Sequence, residues 1–177
     1  YQAIKYLNGN KKKKYKKADM ISMQLASIMK TLLVKRIDSS FFAFKQSLRR
    51  YYDANKVMLD MFENGTIYIA PNLKVNEYLL EGKEEELIKL IEAKYADPTI
   101  EICTPEDFDE KFKSGLEHDD KLLSELVADW EKITADPKME LFITDYLNGI
   151  LFDKSINQEG KLVIFSESKE TTKYLSE

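Results

Sequence analysis

The sequence has few of the residues that form turns, disulfides and metal sites. Its 177 residues include six glycines and four prolines, so we expect few turns and long secondary-structure elements. The single cysteine, Cys103, excludes an internal disulfide framework and indicates a reducing compartment, which predicts a cytoplasmic protein. The single histidine, His118, excludes a histidine-rich metal site, and its acidic neighbours indicate an exposed helix start. No apolar run approaches the roughly 18 residues of a membrane span, so we expect no membrane contact.

The phosphate-binding loop of nucleotide hydrolases is also missing. Its pattern, G-x-x-x-x-G-K-[ST], surrounds phosphates with backbone amides and one lysine. The Gly-Lys pairs at 82–83 and 160–161 have Glu77 and Ser155 where the earlier glycine belongs. No complete catalytic constellation is found, so we predict neither catalytic residues nor a bound metal or cofactor in this chain itself.

The charges that are present are distributed unevenly along the chain. Residues 1–64 contain 14 Lys and Arg against 5 Asp and Glu, a net charge of +9. Residues 65–177 contain 13 against 26, a net charge of -13. Two interpretations stay open: the basic part faces nucleic acid, or the two parts attract each other.

The hydrophobic pattern predicts a mainly α fold with a possible small β-ribbon. We expect a lysine-rich basic loop at 1–17 and then a long helical segment at 18–64, whose apolar residues keep helical phase from Ile21 to Phe62. The Asp38–Ser40 segment can cap a second helix, so one long helix and a bent pair are both possible. The unbroken phase favours a nearly continuous helix.

Residues 65–135 are expected to form a helical insertion. The runs Thr66–Ala70 and Thr99–Cys103 are β-like and can pair as a ribbon beside a short helix at 84–95. A further amphipathic helix is expected from His118 to Ile133.

A helix-start signal follows the second β-like run. The segment Thr104–Asp107 has the residues of a capping box, with proline at the first helical position. Cys103 and Phe108 flank it at the spacing of a hydrophobic staple. We therefore expect a structural role for the cysteine, since the sequence places no activating His or Lys beside it.

The C-terminal part, residues 136–177, is expected to contain a linker helix to about Leu151 and then a strand at 161–166. A short helix follows, for which Ser168 can provide the cap. A single strand cannot form a sheet alone. The sequence therefore predicts a piece of a larger protein, in which the unpaired strand can also support dimerisation.

A basic stripe accompanies the apolar stripe of the long helical segment. Lys45 and Arg49 are spaced four residues apart and so share one helical face. Lys35, Arg36 and Arg50 extend this surface, which suits the phosphates of a nucleic-acid backbone. A solvated helix face without a ligand is the alternative.

The residues around this stripe carry a family resemblance. Leu32–Phe44 reads L-L-V-K-R-I-D-S-S-F-F-A-F, which closely resembles the L-L-K-R-hydrophobe-E-S-S-x-x-A-F segment of Swi/Snf-type superfamily-two helicases, in the bacterial branch of RapA-like proteins. Asp38 stands where the family usually has glutamate, which keeps the carboxylate. D-P-K at 136–138 and K-L-V-I-F-S at 161–166 follow in the family's order, and the latter is similar to its motif IV strand.

The resemblance is specific over 32–48 and 136–175. It implies that the chain is the inter-lobe helical insertion of an ATP-driven translocase, ending in the first βα unit of a second RecA-like lobe. Its implied partners are double-stranded DNA and the two lobes. In that family motif IV lies near the nucleic-acid backbone, so Ser166 and Ser168 are implied phosphate contacts, with strand-end and helix-cap roles as the alternative.

The same resemblance assigns the chemistry to residues outside this chain. The family's phosphate-binding lysine, acidic box and arginine fingers have no counterpart among residues 1–177. ATP and Mg²⁺ are therefore expected only in the longer protein, because hydrolysis needs phosphate, metal and water positioned by both lobes. The competing interpretation is a helical protein–protein interaction module without a nucleic-acid role. A free-standing small enzyme is disfavoured by the missing motifs.

Overall fold

The computed structural model describes residues 3–14, 18–69, 101–166 and 168–176, and within these it is mainly helical, as the sequence predicts. The α-helices are α1 (Gly9–Lys14), α2 (Ala18–Ser39), α3 (Phe41–Glu63), α4 (Glu110–Glu131), α5 (Pro137–Leu141) and α6 (Lys169–Ser176). Single 3₁₀ turns occupy Ala3–Tyr6, Pro105–Asp107 and Ile150–Phe152. None of the helices in these ranges is long and apolar enough to cross a membrane. The predicted helix at 84–95 lies outside the described residues.

The predicted long helical segment is two helices. Ser40 separates α2 from α3 with an extended backbone, φ −164° and ψ 155°. Its hydroxyl accepts a hydrogen bond from the backbone N–H of Ala43 at 3.1 Å, which satisfies a donor in the first turn of α3. The prediction of a nearly continuous helix, which the unbroken phase of the apolar residues favoured, is therefore wrong. A serine that bonds its own backbone can interrupt a helix without disturbing the apolar pattern.

The predicted β-ribbon forms. Strand β1 (Ile67–Ile69) pairs antiparallel with β2 (Glu101–Cys103), with Ile67 opposite Cys103. Before β1 the chain turns at Gly65, whose φ of 74° is a backbone conformation that glycine adopts readily.

The apolar core lies where the N-terminal segment, the end of α3, the ribbon and the start of α4 meet. Its buried residues are Ala3, Leu7, Phe62, Ile67, Ile69, Cys103, Phe108, Phe112 and Leu116. The ring of Phe112 stacks on that of Tyr6 at 4.7 Å and contacts the ring of Phe62 at 5.4 Å. Cys103 and Phe108 both belong to this core.

The predicted capping box is present, but the helix behind it begins later. The backbone N–H of Thr104 donates to Asp107 Oδ2 at 2.8 Å, and the turn ends after Asp107. Helix α4 then starts with Asp109 as its cap, accepting from the N–H of Lys111 at 2.9 Å. His118 lies exposed within α4, so its exposure is confirmed and its place at a helix start is wrong.

The N-terminal and C-terminal parts differ from prediction in one element each. Part of the expected basic loop is helical, because Gly9–Lys14 forms α1. The linker helix that was expected to reach Leu151 is regular only to Leu141, and a wider π-helical turn follows it over Phe142–Leu147.

The expected strand at 161–166 is not formed. These residues have no regular secondary structure, and none of the described strands pairs with them. A strand exists only through its partners, so an apolar run with high β-propensity stays irregular without one. The helix expected after it is present as α6.

Candidate nucleic-acid interface

Two of the predicted phosphate-binding arginines converge on one carboxylate. Arg36 Nη1, near the end of α2, lies 3.1 Å from Glu170 Oε2, and Arg50 Nη2, on α3, lies 2.7 Å from Glu170 Oε1. Their side chains are 10% and 22% exposed, and that of Glu170 is 17% exposed. One carboxylate therefore holds α2, α3 and α6 together at a largely desolvated position.

Hydroxyl groups surround this carboxylate. Thr171 Oγ1 lies 2.8 Å from both Ser39 Oγ and Ser40 Oγ. Ser168 Oγ donates to Glu170 Oε2 at 2.9 Å and accepts from the N–H of Thr171 at 3.3 Å. We call this cluster the polar junction; its members are Arg36, Ser39, Ser40, Arg50, Ser168, Glu170 and Thr171.

The environment of Glu170 favours its ionised form. Burial alone would raise the pKa of Glu170, but hydrogen bonds from Arg50, from its own backbone N–H and from Ser168, with the charge of Arg36, outweigh burial and lower it. The carboxylate is therefore charged at neutral pH. A charged group at this position is tolerated because Arg36, Arg50 and Ser168 all donate hydrogen bonds to it.

The linker helix joins the same region from another side. Asp136 Oδ2 accepts from the backbone N–H of Phe41 at 2.7 Å, while its Oδ1 caps α5 through the N–H groups of Lys138 and Met139. Lys138 Nζ donates to the backbone oxygen of Asp38 at 2.5 Å. The break between α2 and α3 is thus fixed by the D-P-K segment as well as by α6.

Lys45 and Arg49 lie on a different side of α3. Lys45 Nζ donates to the backbone oxygen of Ile133, and Arg49 forms an ion pair with Glu131. The side chains of Arg49 and Glu131 are 58% and 56% exposed, so this pair is in contact with solvent.

The other predicted nucleic-acid contacts are Lys35, Ser166 and Ser168. Lys35 is exposed near the end of α2. Ser168 is buried in the polar junction, and Ser166 Oγ accepts its backbone N–H at 3.1 Å. The single basic face expected from the sequence is therefore divided into a junction that holds Arg36 and Arg50 and a surface that holds Lys45 and Arg49.

One contact at the ribbon end was missed by sequence reasoning. Lys11 Nζ lies 2.6 Å from Asp107 Oδ2 and 3.6 Å from Cys103 Sγ. The hydrogen bond that Lys11 donates to Asp107 raises the pKa of Lys11 and lowers that of Asp107. We expected no lysine beside Cys103, and none is near it in the sequence. The fold nevertheless brings Lys11, which is 92 positions away in the sequence, next to it.

The basic N-terminal part and the acidic C-terminal part of the chain form ion pairs with each other. Among the described residues, five ion pairs join a cation of residues 1–64 to an acid of residues 65–177: Lys11–Asp107, Arg36–Glu170, Arg49–Glu131, Arg50–Glu170 and Lys56–Asp120. This favours mutual attraction of the two parts, one of the two interpretations that the sequence left open.

Within the four described ranges no group of three or more His, Cys, Asp or Glu side chains is arranged to hold a metal ion. Comparison of the chain with protein-family models, with curated proteins and with solved structures finds no match in any of the three.

Proposed function

We propose that this chain is the inter-lobe helical segment of a Swi/Snf-type, DNA-dependent ATPase of the RapA-like bacterial branch. It acts in the cytoplasm and couples the motion of two RecA-like lobes to double-stranded DNA. It supplies no catalytic residue itself; ATP and Mg²⁺ bind to lobe residues outside this chain. The residues present here hold and orient, and the chemistry of hydrolysis is supplied by the lobes.

One observation supports this proposal above the others. The segments that carry the resemblance, 32–48 and 136–175, are far apart in the sequence but contact each other around the polar junction. The contacts include Arg36 with Glu170 and the N–H of Phe41 with Asp136. Residues that share one structural task are expected to meet in this way, whereas a chance match between short motifs has no reason to do so.

The polar junction is suited to coupling. Helix α6 follows directly on 161–166, the segment that resembles motif IV, and is fixed to the α2–α3 break by directional bonds. The hydrogen bonds of such a network are directional and fix the relative positions of the helices, whereas apolar contacts are not directional. A displacement of the second lobe therefore moves α2 and α3 as levers.

Contact with DNA is assigned to the cations outside the polar junction. Arg36 and Arg50 are committed to Glu170, so the phosphates would meet Lys35, Lys45 and Arg49 first. The ion pair of Arg49 is solvated and can exchange its carboxylate for a phosphate at little free-energy cost. Ser166, at the edge of the junction, is the remaining candidate, whereas Ser168 is buried and acts as a cap.

The proposal is tested by ATP hydrolysis in the longer protein, with and without double-stranded DNA. We expect hydrolysis that rises on addition of DNA, and no hydrolysis by residues 1–177 alone. Lack of any DNA stimulation in the longer protein would contradict the proposal.

A protein–protein interaction module is the second candidate, and one observation favours it. The region from α5 onward exposes large apolar side chains, namely Leu141, Ile143, Tyr146, Ile150, Phe152, Ile156, Val163, Ile164 and Phe165. A surface of this kind usually marks a site of protein contact. In the helicase proposal the second lobe covers it, and in the module a separate protein does.

The segment 161–166 also supports the dimerisation that the sequence suggested. Its residues Val163 and Phe165 are 74% and 91% exposed, so the chain's own helices do not cover them. We expect residues 1–177 to self-associate in analytical ultracentrifugation, and Val163→Lys with Phe165→Lys to restore a monomer. A wild-type chain that stays monomeric at high concentration would exclude this segment as a dimer interface.

A further inference from the structure

Helix α4 packs on α3 along one well-defined face. Near the start of α4, the ring of Phe112 lies 5.4 Å from that of Phe62. Near its end, the ring of Trp130 lies 4.6 Å from that of Phe44. Phe112 and Trp130 are about five helical turns apart and so lie on the same side of α4. We call this side the inner face of α4.

A second apolar stripe runs beside the inner face. Leu122 and Leu126 are one turn apart on α4, and Ile133 follows about two turns later, directly after the helix ends. Their exposed fractions are 47%, 38% and 38%. We call these three residues the outer strip. The described elements leave this apolar strip open to solvent, although large aliphatic side chains at helical spacing are typical of a face that is packed against another element.

The charge beside the outer strip is negative. Helix α4 contains seven acidic residues and three lysines. Glu125 and Asp129 are both exposed, lie one turn apart, and flank the strip on the side away from the inner face. Asp129 forms an ion pair with Lys132, but the side chains of this pair are 70% and 75% exposed, so it can be exchanged at little cost. A ligand that matches this surface therefore has cations beside an apolar face.

The inner face shows how α4 binds a helix of that kind. Arg49 of α3 pairs with Glu131, and Lys56, two turns further along α3, pairs with Asp120. Because rising numbers on α3 meet falling numbers on α4, the two helices are antiparallel. Their contact combines an apolar seam with ion pairs along its flank. The outer strip repeats this combination of an apolar stripe and acids at helical spacing.

We propose that the outer strip docks a basic amphipathic helix of a partner protein. The strip extends about 16 Å along the axis of α4, which a partner helix of about three turns matches. Its apolar face would cover Leu122 and Leu126, and two cations one turn apart would pair with Glu125 and Asp129. The cationic helix of this chain that suits such a face, α3, already packs on the inner face, so we assign the strip to a separate protein.

This inference goes beyond the proposed nucleic-acid role and does not depend on it. It also concerns a different surface from the exposed apolar side chains that begin with α5. Binding at the outer strip and DNA-stimulated ATP hydrolysis can therefore be gained or lost independently of each other.

The test uses residues 1–177 and a fluorescein-labelled peptide of leucine, lysine and alanine, about 18 residues long so that it can form a helix. Its leucines lie on one helical face. Affinity is measured by fluorescence anisotropy at about 0.15 M salt, where exposed charges more than about 8 Å apart are largely screened. The binding site is located from the shifts of backbone amide NMR signals. We expect saturable binding, with the largest shifts over 122–133.

Two control peptides separate the proposed ligand from general stickiness and general charge. One has the same composition with its leucines distributed around the helix, and the other has glutamate in place of lysine. Each lacks one of the two features that the strip requires, so each should bind at least about tenfold more weakly.

A first pair of variants tests the apolar part of the strip. Leu122→Ser with Leu126→Ser should weaken binding of the leucine–lysine peptide at least about tenfold, because it removes the area that the peptide covers. Val34→Ser with Val57→Ser is the matched control, since these valines of α2 and α3 are 60% and 50% exposed. It should change affinity less than about twofold.

A second pair tests the acids and does not alter the apolar residues. Glu125→Lys with Asp129→Lys should weaken binding at least about fivefold, and this loss should shrink as salt is raised. Glu110→Lys with Glu117→Lys makes the same change of net charge at exposed positions on another side of α4. It should change affinity less than about twofold.

Four results would overturn the inference: no binding by the wild-type chain, equal binding of the three peptides, equal losses in a variant and its control, or amide shifts centred on 141–165. A self-associated chain that Leu122→Ser with Leu126→Ser converts to a monomer in analytical ultracentrifugation would also contradict it. That result would assign the strip to a second copy.

Discussion

The two ends of helix α3 are held by opposite kinds of contact. At its C-terminal end Phe62 packs into the apolar core with the ribbon and the start of α4. At its N-terminal end Ser40 and, nearly three turns further on, Arg50 belong to the polar junction with α6. Apolar contacts are non-directional and insensitive to charge, whereas the junction depends on a few directional bonds. The first end is suited to permanent stability and the second to a change of state.

The largest expected effect lies in the core. Phe112→Ala removes a buried ring that contacts three other rings, and it should lower the free energy of unfolding by about 3–5 kcal/mol. Urea denaturation of residues 1–177 measures this loss. A change below about 1 kcal/mol would show that the ribbon end is not the main source of stability.

The next largest effect is expected at Glu170, and Glu131, which also binds an arginine, provides the comparison. Glu170→Gln removes the carboxylate charge that two poorly exposed guanidinium groups share and should cost about 2 kcal/mol, somewhat less than breaking a fully buried pair. Glu131→Gln is the matched control, since its partner Arg49 is solvated, and it should cost less than about 1 kcal/mol. Equal losses in the two variants would remove the distinction between junction and surface.

A smaller effect is expected at the helix break. Ser40→Ala removes the cap of α3 and a bond to Thr171, and it should cost about 1–2 kcal/mol. Ser114→Ala is the control, because that hydroxyl only bonds the backbone one turn earlier in an exposed part of α4. If both substitutions behave alike in thermal unfolding, the two-helix description of 18–64 loses its energetic support.

The smallest effect is a pH dependence confined to the junction. The pKa of Glu170 is lowered by folding, so its contribution to stability is complete above its ordinary value of 4.5 and is lost as pH falls through the depressed folded value. The difference in unfolding free energy between wild type and Glu170→Gln should therefore be constant down to about pH 4.5 and shrink below it. If the difference in unfolding free energy between the two proteins instead shrank above neutral pH, the pKa of Glu170 would not be the cause of the pH dependence.

Local signals predicted the elements that depend on neighbouring residues. Short β-like runs indicated β1 and β2. The Thr104–Asp107 pattern indicated a helix start with a capping box; the hydrogen bond from the N–H of Thr104 to Asp107 confirms the box, but only a single turn follows it. Helical periodicity indicated most of α2, α3 and α4. These features follow from backbone propensity and from which face is apolar, so a single sequence contains them.

Contacts between distant residues were not readable in the same way. Nothing local to Arg36 or Arg50 indicates that Glu170 will neutralise both, and nothing near Cys103 indicates Lys11. The expected strand at 161–166 failed for a related reason, since its formation depends on a partner and not on its own residues. Periodicity shows which face of a helix is polar, but not whether that face meets water, phosphate or another part of the chain.

The proposed coupling role of the polar junction is tested best by the rate of ATP hydrolysis, with and without double-stranded DNA, of the longer protein proposed above. We would compare Glu170→Gln with Phe112→Leu, a core substitution of similar size in stability. The junction variant should lose about tenfold in DNA-stimulated hydrolysis while its basal rate is kept, a typical coupling effect, and the core variant should keep both rates. Full stimulation in Glu170→Gln would contradict a coupling role for the polar junction.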